Sequence, residues 1–188
     1  RRRDSFLSTA YNLSGALEAA KQGRFIVLVD IIDMSTSLEA VLEQGALQVW
    51  GAAPVEKKSP YTNPYRIGQL AAKEAKALSA EIVLIAEPRW GDRNGRERRA
   101  AEVLAGIAAE GIEVLDVVPN MGAETGRILD WRGKIAIAVT DAGGTVFDAV
   151  RQITAQISTA TVARTLRMKG SEPAIRGIRR ALDRAGGL

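Results

Sequence analysis

The feature that most limits what this sequence can fold into is its rhythm: short, nearly unbroken apolar runs alternate with longer stretches of helical spacing. Runs at residues 25–30, 47–51, 81–86, 112–118 and 134–140 are built mainly from Ile, Val, Leu and Ala. Strands that are apolar on successive residues, rather than on every second one, are covered on both faces. Between them, apolar residues recur three and four apart, as on the face of an amphipathic helix. Helix-separated, doubly covered strands imply a parallel sheet with right-handed crossovers. The expectation is therefore an α/β fold: a doubly wound, mostly parallel, Rossmann-like sheet of about six strands with helices on both faces. No repeat or linker interrupts the 188 residues, and residues 1–188 read as a single domain.

Local signals place the elements. Phe6, Ala10, Leu13, Leu17 and Ala20 mark a first helix that stops near Gly23. Asn63-Pro64 is an N-cap followed by a first-turn proline, opening a helix to about Leu78. Asn94 and Glu97 have capping-box spacing, as do Thr36 and Glu39, which sets the second helix's start at Thr36. Gly143-Gly144 opens a helix whose buried side is read as Val146, Val150, Ile153 and Ile157. Residues 159–163 form a weaker candidate strand. A last helix from about Ser171 is read as burying Ile175, Ile178 and Leu182.

Composition excludes several chemistries. With neither cysteine nor histidine, the chain has no disulfide, thiolate zinc site, Ser-His-Asp triad or imidazole base. Haem, zinc and a dinucleotide site are not expected, since neither G-x-G-x-x-G nor G-x-x-x-x-G-K-[ST] occurs. The formal charge of +4 comes from scattered arginines, with clusters at 1–3, 96–99 and 176–184. The last two clusters read as solvated helix faces, so nucleic acid is disfavoured as a partner and a small anionic molecule preferred. No apolar run reaches the ~18–20 residues of a membrane span, and no signal-peptide core is present, so a cytoplasmic location is expected. A homo-oligomer, or a sheet completed by a partner chain, is left open.

In parallel α/β sheets, ligands bind outside the carboxyl ends of the strands, and three such ends are polar here. The first runs Asp30-Ile-Ile-Asp33-Met-Ser35-Thr36-Ser37. Two close carboxylates favour Mg2+ or one raised pKa, and the three hydroxyls at a helix start offer an anion seat or simple caps. The second runs Glu87-Pro88-Arg89-Trp90-Gly91, with an acid, a basic group and a candidate substrate wall in Trp90. The third runs Thr140-Asp141-Ala142-Gly143-Gly144-Thr145, a turn whose backbone N–H groups could cradle phosphate. Trp50 and Trp131 read as packing residues.

These three strand ends, in this order, resemble those of the 2-phosphosulfolactate phosphatase family. There an Asp-Val-Leu-Arg-Ala-Ser/Thr-Ser/Thr stretch, a Gly-Glu-Arg-Gly loop and a Thr-Thr-Asn-Gly-Thr turn occupy corresponding places, and the likeness covers about residues 25–150. The resemblance implies a Mg2+-assisted hydrolase or binder of a small phosphorylated acid. Asp30 and Glu87 would hold the metal, and Asp33 or Asp141 would act as acid or base. Arg89, Ser35, Thr36, Ser37, Thr140 and the N–H groups of Gly143, Gly144 and Thr145 would meet the substrate. Asp33 stands where the family has arginine, Pro88 separates the Glu-Arg pair, and most of the family's second half has no counterpart after residue 150. These departures support the alternative, a small-ligand-binding or regulatory domain that keeps the fold and lacks the chemistry.

Overall fold

The computed structural model describes residues 7–30, 34–57 and 59–184. In chain order the elements are α1 (Asn12–Lys21), β1 (Ile26–Val29), α2 (Met34–Glu43), β2 (Gln48–Ala52), α3 (Pro64–Leu78), β3 (Glu81–Ala86), α4 (Arg93–Arg99), α5 (Ala101–Ala109), β4 (Asp116–Pro119), β5 (Lys134–Val139), α6 (Gly143–Arg151), β6 (Ile157–Ala160) and α7 (Glu172–Arg184). Short 3-10 turns cover Val55–Lys57 and Gly122–Arg127.

The strands are parallel, but they do not form the one continuous sheet expected. Four make a sheet in the order β2-β5-β3-β4, and β1 pairs only with β6. Met34 Sδ, from α2, and Phe147 Cβ, from α6, stand 3.0 and 2.7 Å from where a Cβ on Gly51 would be. Side chains from two helices thus pack closely on β2 at Gly51. Both helices touch both sheets, so the join is packed although it is not hydrogen-bonded.

Alternation along β3 and β5 shows why their sequences are apolar throughout. Ile82, Leu84, Ile135 and Ile137 face one core with Ile67, Ala71 and Ala75 of α3 and Val103 and Ile107 of α5. Val83, Ile85, Ala136 and Ala138 face the other, with Met34, Leu38 and Val41 of α2 and Trp131. Helices α3 and α5 approach closely through glycines: a Cβ on Gly106 would stand 2.0 Å from the Tyr65 carbonyl oxygen, and one on Gly68 2.2 Å from that of Val103.

Several local expectations change. The strand expected at 112–118 forms only from Asp116, and α1 begins at Asn12, with Phe6 outside the described residues. Helix α2 begins at Met34, not Thr36, and Glu39 does not close a capping box. Asp92, not Asn94, caps α4, accepting from Gly95 N–H at 2.8 Å, while Glu97 pairs with Arg93. Helix α6 ends at Arg151, so Ile153 is exposed and Ile157 opens β6, which starts before the expected 159. On α7, Ile175 and Ile178 are exposed, because the helix meets β6 through Gly177, where a Cβ would lie 2.4 Å from Ala160 Cβ. No helix among the described residues is long and apolar enough to cross a membrane.

Candidate functional site at the carboxyl ends of the strands

The parallel register brings the ends of β2, β3, β4 and β5 to one edge, with Ala86 level with Val139 and Pro119. Asp30, half-buried, follows β1. Its N–H donates to Ser35 Oγ at 2.9 Å, and one carboxylate oxygen lies 2.3 Å from where a Gly143 Cβ would be. Asp30 therefore sits against the N-terminus of α6, where the helix dipole favours a negative group. The same N-terminus is capped from within, since Gly144 N–H donates to Thr140 Oγ1 at 2.8 Å. Gly144 must lack a side chain, because a Cβ there would stand 2.2 Å from the Ala52 carbonyl oxygen. The turn at 143–145 thus has an acceptor in Thr140 and the Asp30 carboxylate packed against it.

The three hydroxyls of α2 are likewise engaged. Ser35 and Ser37 are fully buried and Thr36 nearly so. Ser35 accepts from Asp30, Thr36 Oγ1 lies 3.0 Å from Thr161 Oγ1, and Ser37 donates to Asn120 Oδ1. Their structure-holding role accounts for all three. Asp141 is exposed and forms an ion pair with Arg99. Glu87 is half-buried just past β3, and Trp90 is 78% exposed, so it walls no enclosed site. Trp131 is fully buried, with its indole N–H on the Thr125 carbonyl at 3.1 Å, and Trp50 is buried too. Asp33 lies outside the described residues.

Buried polar groups, most of them not singled out in the sequence, lie at this edge and elsewhere in the fold. Asn120, directly after β4, is 1% exposed; its Oδ1 accepts from Ser37, its carbonyl accepts from Arg89 Nε at 2.9 Å, and its Nδ2 has no partner. Thr145 Oγ1 and Arg99 Nε are also buried and unpartnered. Arg176, read from sequence as part of a solvated face, instead reaches under α2. Its Nη2 lies 2.7 Å from Glu39 and 3.0 Å from Glu43, both essentially buried, and Glu43 also accepts from Thr165. Asp148, fully buried in mid-α6, accepts from Ala53 N–H, Asn63 N–H and Gln152 Nε2. Burial raises its pKa, opposed by those hydrogen bonds. Apart from Thr145, named already from its turn, the Glu39/Glu43 spacing of four was the one local signal for these groups.

Among the described residues no three acidic side chains form a group able to hold a metal ion. A magnesium ion on Asp30 and Glu87 would thus take most of its oxygens from water and ligand, as magnesium commonly does. Two clefts, of about 300 and 400 Å³, lie elsewhere, one between β2, α6 and β6 and one beside α1, residues 60–63 and α6. Compared with family models, curated proteins and solved structures, the chain matches none. The phosphosulfolactate phosphatase likeness rests on the motifs quoted above.

Proposed function

We propose that this chain binds a small phosphorylated acid at the carboxyl ends of its strands, on a doubly wound, Rossmann-like frame, without turning it over. The observation that carries the reading is the Asn120 side-chain amide. A buried N–H donor with no acceptor costs about 1–3 kcal/mol, and Asn120 Nδ2 is such a donor, whose cost a ligand oxygen reaching it would remove. Arg89, hydrogen-bonded to the same residue's carbonyl, brings positive charge to the spot. The groups a hydrolase would use are occupied: Asp141 by Arg99, and the hydroxyls of Ser35, Thr36 and Ser37 by the fold.

The hydrolase reading keeps one support, that Asp30 and Glu87 each follow a strand's carboxyl end. In it, these two hold Mg2+, which would neutralise charge on a phosphoryl group. One experiment separates the readings. Phosphate esters of small acids are screened by thermal shift and by phosphate release, with and without Mg2+, on the wild type, Asn120→Asp and Asp30→Asn. Binding without turnover predicts melting shifts in the wild type that Asn120→Asp abolishes. No shift from any ester would sink the binding site, and Mg2+-dependent release lost in Asp30→Asn would establish the hydrolase instead.

A further inference from the structure

The cleft of about 300 Å³ lies at the opposite edge of the sheets, where β2 and β6 begin and α6 ends. Its wall includes Trp50, Phe147, Gln48, Glu74 and Arg151. The Arg151 guanidinium carbon lies 4.8 Å above the centre of the Trp50 ring. The indole is itself fixed: its N–H donates to Gln48 Oε1 at 3.1 Å, and it packs against Phe147 with ring centres 6.4 Å apart. Arg151 thus presents a flat cation, braced on one face by an aromatic ring. Among the described residues its N–H groups have neither a carboxylate nor a hydrogen-bond acceptor within reach. Burial lowers its pKa, opposed by the charge of Glu74, which feels Arg151 across the cleft without forming an ion pair.

A guanidinium edge of this kind fits a carboxylate, two N–H groups to two oxygens. A simple anion would be repelled by Glu74, whose Oε2 accepts only a long 3.4 Å hydrogen bond from Gln48 Nε2. A ligand carrying an ammonium beside its carboxylate satisfies both charges at once. Trp50 and Phe147 offer apolar surface to a side chain. We infer that this cleft binds a free α-amino acid, with its carboxylate on Arg151 and its ammonium on Glu74.

The test is titration calorimetry of the whole chain with free L-α-amino acids, their N-acetyl derivatives and their methyl esters, with tryptophan fluorescence as a second signal. Free amino acids should bind, and both blocked forms should bind at least about tenfold more weakly, since each loses one charged hydrogen bond. Arg151→Gln and Glu74→Gln should each weaken binding about tenfold, with circular dichroism confirming that they fold. Should either variant unfold, the free and blocked ligands on the wild type still decide. No heat or fluorescence change with any free amino acid overturns the site, and equal binding of N-acetyl forms overturns the assignment to Glu74.

Discussion

Replacing Asp148 by alanine tests how the loop after β2 is held. The fully buried carboxylate accepts from Ala53 N–H at 3.2 Å, from Asn63 N–H at 2.8 Å and from Gln152 Nε2 at 2.9 Å. Gln152 can turn its amide to water, but the two backbone donors cannot. At about 1–3 kcal/mol for each stranded donor, less the relief of removing a desolvated carboxylate, the variant should lose about 3 kcal/mol. For a chain of this size that lowers the melting temperature by about 6–12 °C. The carboxyl pKa is raised above its ordinary 3.8 because burial outweighs the hydrogen bonds. Between the unfolded and folded values, the unfolded chain has already lost the proton that the folded chain retains. Wild-type stability therefore falls as pH rises through that window and levels off above it. The advantage of wild type over Asp148→Ala should be larger near pH 4 than near pH 7. Urea unfolding followed by far-UV circular dichroism at both pH values measures it. A loss under about 1 kcal/mol, or a gap that widens as pH rises, refutes the account.

Arg176→Ala removes the ion pairs to buried Glu39 and Glu43 and should cost about 3 kcal/mol in urea unfolding. Substituting both glutamates by glutamine in that background should recover part of the loss; no recovery would show that the helix α7 contact, not the charge, was at stake. Gly144→Ala drives a Cβ to 2.2 Å from the Ala52 carbonyl oxygen and should cost about 1–3 kcal/mol. An unchanged melting temperature would mean that α6 does not seat this closely on β2.

Where a local rule and the tertiary environment agree, the elements were legible. Residues 81–86 form β3 as read, because a central strand with a helix layer on each face is apolar throughout. Asn63-Pro64 opens α3 as read, with Asn63 Oδ1 accepting from Arg66 N–H at 2.9 Å. The reading failed where contact is made by the residue with least to show. Helix α7 was assigned its buried side from Ile175, Ile178 and Leu182, but the first two are exposed, Leu182 is half-buried, and among its described side chains Pro173 and Gly177 are the buried ones. A periodicity of large apolar side chains does not register a glycine as a contact. The close packing on β2 is of the same kind, since Met34 and Phe147 from two helices meet at Gly51.

The candidate site shows a deeper limit. The motif that drew attention, Ser35-Thr36-Ser37, is polar because the fold uses it: each hydroxyl reaches a group outside its own turn. Ser37 meets Asn120 from 83 residues away, and Thr36 meets Thr161 from 125. Glu39 and Arg176 are separated by 137 positions. Capping rules weigh partners three or four residues apart, so they assigned Thr36 to Glu39, when Glu39 is buried beneath α7 against Arg176. Which polar residues are consumed by the fold is therefore decided by topology. What that subtraction leaves near this edge includes Asn120, whose amide nitrogen is buried without a partner, and Thr145, whose hydroxyl is likewise buried and unpartnered. In the binding reading proposed above, the centre of the chemistry therefore moves along the edge, from the end of β1 to the end of β4, where a ligand would supply the acceptor that Asn120 Nδ2 lacks.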